Sequence, residues 1–314
     1  MKRPGMKAQN IARKTIKTIN SIVDFVLLTI VLLLLAFAGY ALWDSGQLYE
    51  AADKTHYEVY KPTILNEGKS FKELQDINPE VFAWLSVYGT NIDYPVTQGT
   101  NNMKYINTNA EGQHSLSGAI FLDYRNNQDF SDFNSILYGH HMEKSVMFGD
   151  LGTFSDKAVF DSHRYGNLYF DGKDHGIEFF AFINADAYDY TVFRPKVNED
   201  DRQVYLDGLL EKAIHLRDIG ISATDRIVLL STCSTDSTNG RDILVGRITD
   251  EVYDDIFSSP ETNDEVQAQN FQDGYIKEIL LLPLLLMLIL TVRLVWLIIS
   301  IYKKYNKKNK SKGF

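Results

Sequence analysis

Two long apolar stretches, one near each end of the chain, constrain this sequence more than any other feature. The first runs from Ile22 to Trp43 and the second from Ile279 to Ile301. Each has roughly the 20 residues that an α-helix needs to cross the hydrocarbon core of a membrane. Core helices of soluble proteins seldom stay apolar for five turns. The sequence therefore predicts two transmembrane helices, the first an uncleaved anchor rather than a signal peptide.

The charges beside these stretches predict their orientation. Six basic residues and no acidic residue precede Ile22, and six lysines and no acidic residue follow Ile301. Positively charged flanks stay in the cytoplasm. We therefore expect cytoplasmic tails at residues 1–21 and 302–314, with everything between the two helices on the outer side of the membrane.

The segment between the helices is strongly acidic. From Asp44 to Tyr275 it has 18 Lys and Arg against 39 Asp and Glu, a net charge of −21. This excess disfavours nucleic acid as a partner. It suits basic partners or an anionic cell-wall environment, although acidity by itself often reflects only solubility.

Short β-segments dominate this middle region. Residues 44–77 predict a helical lead-in broken near Pro62, and residues 257–278 predict a linker. Between them, eight segments rich in β-branched and aromatic residues are bounded by Gly, Asn and Asp: Val81–Gly89, Ile92–Val96, Gly118–Asp123, Ser135–Gly139, Asn167–Phe170, Gly176–Ala185, Arg226–Thr232 and Asp242–Ile248. They predict a closed or nearly closed β-barrel over residues 78–256, since closure removes exposed edges.

One segment interrupts this β pattern. Asn198–Leu216 opens with a cap residue and acids, then carries apolar residues at roughly helical spacing, among them Val204 and Leu209. We expect one long helix inserted between two late strands.

The single cysteine, Cys233, is the first candidate for chemistry. It can form no disulfide within the chain, whereas extracytoplasmic proteins tend to pair their cysteines or to avoid them. An apolar strand leads into Cys233, and a polar loop then leads to Arg241 at the start of the next strand. An arginine at that place can stabilise a thiolate or an oxyanion. An inert, buried cysteine beside a solvated arginine is the alternative.

A nucleophilic thiol also needs an acid/base, usually histidine. His140 directly follows the apolar segment Ser135–Gly139, so it can meet Cys233 on one barrel rim. The histidines in predicted helices or polar loops are expected at the surface: His56, His114, His163, His175 and His215. His140 and His141 are adjacent and so point apart, and no HExxH or partnered Cys/His set accompanies them. The sequence therefore predicts no metal and no cofactor.

These residues also carry a family resemblance. LLSTC (Leu229–Cys233) resembles the TLxTC signature of sortases, and ILYGHHM (Ile136–Met142) is similar to their strand-then-histidine motif. Arg241 falls where that family has its third catalytic residue, and the similarity extends over about residues 78–249. The helical lead-in and the segment Asn198–Leu216 resemble class B sortases in particular.

The resemblance implies an eight-stranded barrel and a cysteine transpeptidase of Gram-positive bacteria. Its thiol attacks a C-terminal sorting signal on a surface protein, and an amine of the cell wall resolves the thioester. By position, Cys233 would be the nucleophile and His140 the acid/base. Arg241 would bind the substrate carbonyl and stabilise the oxyanion, and Ser231 would line the peptide groove.

Three departures from the family pattern leave alternatives open. Leu229 replaces the first threonine of the signature, and His141 stands where class B relatives often have asparagine. A C-terminal transmembrane helix is common in pilus-building sortases rather than in class B, yet the aspartate–aromatic lid motif of the former has no convincing match. Polymerisation of pilins through a lysine amine is therefore an alternative, as are a hydrolytic cysteine protease and a non-catalytic, membrane-tethered binding domain.

Overall fold

The N-terminal apolar stretch forms part of one continuous helix, α1 (Met6–Ala52). The computed structural model describes residues 6–62, 69–233, 239–258 and 293. Among them, Arg13–Tyr49 is the one helical segment long and apolar enough to cross a membrane, with a mean hydropathy of 2.7. Its apolar side chains are exposed, for instance Phe37 at 70 %. The second predicted span, Ile279–Ile301, lies outside the described residues apart from Arg293.

Eight strands close into a barrel, which confirms the predicted fold. The nine strands of the described chain are β1 (Val81–Val87), β2 (Asp93–Thr97), β3 (Ile120–Leu122), β4 (Asn134–Tyr138), β5 (Tyr165–Phe170), β6 (Lys173–Asp186), β7 (Ala213–Leu216), β8 (Arg226–Cys233) and β9 (Gly240–Thr249). Their order is β5-β1-β2-β3-β4-β8-β9-β6-β7, and a further β5–β6 pairing closes the ring. The pairs β2–β3 and β4–β8 are parallel. Each of the eight predicted segments contributes one barrel strand.

Side chains alternate between two apolar clusters on the two faces of the barrel wall. All eight barrel strands contribute to the first cluster, which fills the interior and includes Phe182, Leu230 and Leu244. The neighbouring residues Leu229 and Ile243 belong to the second cluster, which lies on the outer face. Helix α4 (Arg202–Glu211) covers that face with Tyr205, Leu206 and Leu209. Each buried leucine there contributes roughly 1.5–3 kcal/mol of hydrophobic stabilisation.

The inserted helix is shorter than predicted. A 3₁₀ turn at Glu199–Asp201 leads into α4, which ends at Glu211, and the next residues form β7. β7 pairs with the C-terminal half of β6, the part that β5 does not reach. A segment of four residues is too short to show whether its apolar residues recur every 2 residues, as in a strand, or every 3.6, as in a helix. The sequence therefore predicted β7 as a continuation of the helix. Of the two apolar residues named for the helical spacing, Leu209 is buried, whereas Val204 is 73 % exposed.

Short helices complete the domain around the barrel. The helical lead-in consists of 3₁₀ turns at Lys54–His56 and Glu58–Tyr60 and of α2 (Lys69–Ile77). Unpredicted elements follow β4: a 3₁₀ helix at Gly149–Ser155 and α3 (Lys157–Ser162). The Asp156 side chain caps α3 by accepting hydrogen bonds from the Ala158 and Val159 amides.

His175 was expected in a surface loop, and that expectation is wrong. It lies on β6, is 2 % exposed and stacks on Phe170 with 3.8 Å between ring centroids.

Candidate active site

The strand register brings three chain positions to one edge of the barrel. Tyr138 on β4 lies opposite Ser231 on the parallel strand β8, and the Gly139 amide continues the ladder by donating to the Ser231 carbonyl at 3.2 Å. His140 and Cys233 each follow two residues later, so the two positions lie at the same level, His140 just beyond the end of β4 and Cys233 at the end of β8. On the other side of β8, Cys233 is the register partner of Arg241 on β9. We call the positions His140, Cys233 and Arg241 the β4–β8–β9 rim.

Alternation along the strands assigns these positions to one face. Position 233 shares its face with Leu229, and Arg241 shares its face with Ile243, both members of the outer cluster. Thr232 and Asp242 occupy the intervening positions, which belong to the inner face. The rim therefore belongs to the outer surface, on the side of the barrel that α4 covers. For Cys233 itself the structure describes the backbone.

Among the described residues, one hydrogen bond holds the imidazole of His140. Its Nε2 lies 2.8 Å from the carbonyl oxygen of Ile106. A carbonyl only accepts, so Nε2 is the nitrogen that carries hydrogen, and Nδ1 of the neutral ring is left to accept a proton. The His140 carbonyl in turn accepts a hydrogen bond from the Phe148 amide at 3.0 Å. A half-buried histidine with a fixed tautomer is suited to general acid/base chemistry.

The loop that follows His140 is strained. Lys144, Ser145 and Met147 all have positive φ values, of 60°, 60° and 54°. Such conformations cost non-glycine residues on the order of 1–2 kcal/mol each and concentrate at functional sites. The loop is tied down by an isolated bridge between His141 and Met147 and by the Met147 amide, which donates to the Tyr94 hydroxyl at 3.1 Å.

Arg241 has few hydrogen-bond partners among the described residues. Its side chain is half-buried, and within the described residues it donates one hydrogen bond, from Nη1 to the Gly240 carbonyl at 2.9 Å. Its charge acts on Tyr138, whose pKa is raised by burial and by Asp123 and is partly lowered again by Arg125 and, to a smaller extent, by Arg241. The guanidinium therefore creates a positive potential beside the rim.

Tyr138 belongs to a buried network that sequence reasoning missed. Its hydroxyl donates to Asp123 Oδ2 at 3.1 Å, and Asp123 is fully buried. Arg125 donates to both carboxylate oxygens at 2.8 Å, and Asn102 adds a third partner at 2.9 Å. Burial raises the pKa of Asp123, but the hydrogen bonds from Arg125 and Asn102 outweigh it and hold that pKa below its ordinary value. The Tyr138 ring packs between Phe121 and Phe193.

Ser231, the predicted groove residue, is 1 % exposed, and its hydroxyl has no hydrogen-bond partner among the described residues. It lies beside Tyr138 through the β4–β8 register. In the part of the chain that the structure describes, no cluster of three or more His, Cys, Asp or Glu residues could hold a metal ion.

Comparison with known proteins points to one family. The sortase domain family model matches residues 85–249. Sortase B of Listeria monocytogenes is 29 % identical over 251 residues, which cover 73 % of this chain and 98 % of the relative.

Two solved structures have a higher sequence identity with this chain than the Listeria relative. Sortase B from the type II pilus of Streptococcus pneumoniae is 51 % identical, with a TM-score of 0.51 over 58 % of this chain and 99 % of that one. A Streptococcus pyogenes class B sortase involved in pilus biogenesis is 41 % identical, with a TM-score of 0.54 and the same two coverages.

Proposed function

Because this chain belongs to the sortase family, and within it to class B, we propose that it is a cysteine transpeptidase acting at the β4–β8–β9 rim. Members of this family are cell-surface enzymes that act on sorting-signal substrates. In the proposal, Cys233 is the nucleophile, His140 is the acid/base and Arg241 stabilises the oxyanion. The observation that carries it is the register of β4, β8 and β9, which brings these three positions to one edge.

The first half-reaction forms a thioester. A free cysteine has a pKa of about 8.5 and is mostly protonated at neutral pH, so the thiol needs a base. His140 takes the thiol proton as the Cys233 sulfur attacks the scissile carbonyl carbon, and the Arg241 guanidinium stabilises the charge that develops on the carbonyl oxygen. The C–N bond then breaks, and His140 donates a proton to the leaving amine.

The second half-reaction transfers the acyl group to an amine. The attacking nitrogen loses a proton to His140 as it bonds to the carbonyl carbon, and the C–S bond breaks to release the thiol. If water attacks the thioester in place of the amine, the acyl group is released as a carboxylic acid, which is the reaction of a protease.

A lysine amine of a pilin subunit is the second candidate acceptor, besides an amine of the cell wall. The observation that favours it is the level of identity. The two pilus-associated sortases share 51 % and 41 % of their residues with this chain, and the Listeria relative shares 29 %.

Membrane attachment completes the proposal. We place the catalytic barrel of residues 78–256 outside the cell, between transmembrane helices at 22–43 and 279–301 with both tails in the cytoplasm. The long apolar helix α1 supports the first span. Labelling intact cells with a membrane-impermeant thiol reagent tests the orientation, because Cys233 is the single cysteine.

Mass spectrometry of the full chain in detergent tests the reaction. The protein is mixed with a panel of sorting-signal peptides and with two amines, a wall peptide and a lysine-containing pilin peptide. We expect an acyl adduct on Cys233 that transfers to one of the amines, and no adduct in Cys233→Ala. Absence of an adduct with every peptide, together with slow alkylation of the thiol, would favour a non-catalytic binding domain.

A further inference from the structure

The residue that holds the His140 ring lies outside the three strands of the rim. Ile106 is the last residue of a 3₁₀ turn, Lys104–Ile106, in the connection between β2 and β3. Its carbonyl oxygen accepts the hydrogen bond from His140 Nε2. The strand register sets the backbone position of His140, but the direction of the imidazole depends on where this carbonyl lies. The residues that fix the turn therefore act on the acid/base of the proposed mechanism.

One side chain of the turn bonds it to the start of the barrel. Tyr105 is 1 % exposed, and its hydroxyl donates to Glu80 Oε2 at 2.6 Å. Asn78 Nδ2 donates to the same hydroxyl at 3.0 Å, so the hydroxyl is bonded both as donor and as acceptor. Asn78 directly follows α2, and Glu80 directly precedes β1. The Tyr105 hydroxyl thus connects the turn to the entry of the first barrel strand.

The carboxylate that accepts this bond is charged. Burial raises the pKa of Glu80, but hydrogen bonds from Lys104 and Tyr105 outweigh it and hold that pKa below its ordinary value. Lys104 Nζ donates to the same Oε2 atom at 2.7 Å. Hydrogen bonds to an ionised acceptor are about twice as strong as those between neutral groups. Two successive residues of the turn are therefore bonded firmly to one oxygen of Glu80.

Residues 118 and 119 hold the backbone of the turn. The Ala119 amide donates to the Tyr105 carbonyl at 3.0 Å. Gly118 has a φ of 61°, and a Cβ at this position would lie 2.7 Å from the Ile106 carbonyl oxygen. A residue with a side chain would therefore displace the carbonyl that binds His140, whereas glycine leaves it in place.

We propose that Tyr105 is a positioning residue for His140. Its buried hydroxyl, bonded to Glu80, holds the Lys104–Ile106 turn where the Ile106 carbonyl can accept from Nε2. This keeps Nδ1 as the nitrogen that exchanges protons with the thiol and the amine. The inference rests on the proposed function and adds to it a residue that acts through the imidazole, without touching the reacting atoms.

The first test compares two buried tyrosines with the same bonding pattern. Tyr205 is 4 % exposed; its hydroxyl donates to the Val192 carbonyl at 2.6 Å and accepts from Asn134 Nδ2 at 2.7 Å. The rate of thioester formation is measured with full-length protein in detergent at saturating sorting-signal peptide. Tyr105→Phe should lower this rate about tenfold, less than the roughly 10²-fold loss that a misplacement of about 1 Å can cause.

The matched control is Tyr205→Phe. It should lower the melting temperature by as much as Tyr105→Phe does, because it removes a hydroxyl with equivalent bonds, and it should leave the rate within about twofold. Equal rates in the two folded variants would overturn the positioning role.

A double-mutant cycle tests whether Tyr105 acts through His140. The rate of thioester formation is compared in Tyr105→Phe, in His140→Ala and in the double variant. Once the imidazole is absent, Tyr105 has no ring to position, so Tyr105→Phe should change the residual rate of His140→Ala by less than about twofold. A further tenfold loss would show that Tyr105 acts on the fold or the peptide and would overturn the proposal.

Nitrogen-15 spectra of histidine-labelled protein report on the ring directly. The signals of His140 are assigned by their loss in His140→Ala. At a pH where the ring is neutral, we expect the unmodified protein to show hydrogen on Nε2 and none on Nδ1. Tyr105→Phe should show signals averaged between the two tautomers, because Nε2 no longer has a fixed acceptor. Unchanged His140 signals in a variant with a lowered rate would contradict the proposal.

Glu80 provides a second pair of variants that leave the tyrosine intact. Its side chain is half-buried, so replacements should fold. Glu80→Ala removes the acceptor and should reproduce the loss seen in Tyr105→Phe. Glu80→Gln keeps an oxygen that accepts from the hydroxyl and should retain most of the rate. A normal rate in Glu80→Ala would overturn the role of this bond, whereas absence of a thioester in the unmodified protein would overturn the proposed function.

Discussion

The two ends of strand β9 carry two arginines with opposite surroundings. Near its C-terminal end, Arg247 donates to Glu178 Oε2 at 2.6 Å, and Arg164 donates twice to Oε1, at 3.0 and 2.7 Å. We call Arg164, Glu178 and Arg247 the basal cluster. At the other end of β9, Arg241 donates one bond to its neighbour's carbonyl within the described chain.

This difference separates Arg247, which has a structural role, from Arg241, for which we propose a catalytic role. Glu178 is 5 % exposed, and a buried carboxylate is stable only when both of its oxygens are bonded. The basal cluster meets that need and thereby fixes β5, β6 and β9 together. Among the described residues Arg241 faces no such carboxylate, and in the proposed mechanism its donors bind an oxygen that arrives with the substrate. The rim should therefore govern activity, and the basal cluster stability.

The largest effect should come from His140. Replacement by alanine removes the group that exchanges protons with the thiol and the amine, so kcat/KM for transpeptidation should fall about 10²–10⁴-fold. Thioester accumulation, followed by mass spectrometry, should fall in parallel, and the melting temperature should stay within a few degrees. His114→Ala, an exposed histidine on the loop before β3, is the matched control. Near-normal activity of His140→Ala would remove His140 from the proposed mechanism.

The two arginines of β9 allow a direct test of the comparison. Arg241→Gln should lower the rate of thioester formation about 10²–10³-fold and leave the melting temperature nearly unchanged, because one oxyanion donor is lost. Arg247→Gln should do the reverse. Removing one partner of buried Glu178 should lower the free energy of unfolding by about 1–3 kcal/mol, with kcat unchanged at a temperature where the variant is folded. Similar effects of both changes on both quantities would break the distinction.

The sequence predicted the barrel better than its surroundings, for physical reasons. Each barrel segment combines β-branched or aromatic residues with Gly, Asn or Asp at its ends, and this local signal is strong. β7 has four residues and depends on the half of β6 that β5 does not pair with, which is a tertiary feature. The sequence predicted that His140, Cys233 and Arg241 lie on one barrel rim. That His140 and Cys233 lie at the same height along the barrel follows from the parallel β4–β8 register, which the sequence does not specify.

Contacts between distant segments left no local signal. The bond from Tyr138 to Asp123 joins β4 to the turn after β3, and no pattern within either segment indicates it. A cleft lined by Asp242 is likewise assembled from five separate parts of the chain. Asp242 and Arg241 are neighbours on β9 and lie on opposite faces of the strand, and the sequence pattern indicated a role for the arginine only.

Asp123 offers a smaller effect at the rim. Asp123→Asn removes the charge that Arg125 clamps and weakens the hold on the Tyr138 hydroxyl. If Tyr138 forms the floor on which the sorting peptide lies, KM for the peptide should rise about three- to tenfold with little change in kcat. Asp129→Asn, a carboxylate bonded to its own loop at the Ser131 amide, is the control. A fall in kcat at constant KM would show that the network acts on the chemistry rather than on the peptide.

The smallest effect concerns His175, which lies three residues before Glu178 on β6. Burial lowers the pKa of His175, helped by the charges of Lys173 and Arg226 and opposed by the Leu168 backbone and by Asp250. Its pKa is thus lower in the folded protein than the ordinary 6.5 of the unfolded chain. Between these two values the unfolded state binds more protons, so stability is complete above pH 6.5 and falls as the pH drops toward the folded value.

Urea unfolding between pH 7.5 and pH 5, of the unmodified protein and of His175→Gln, measures this contribution. One histidine can contribute a slope of at most about 1.4 kcal/mol per pH unit, and the variant should lack that part of the slope. The pH profile of thioester formation should be the same in both proteins, because His175 belongs to the stabilising end of the barrel. A variant with an altered activity profile and an unaltered stability slope would place His175 in communication with the rim and break the separation of the two ends.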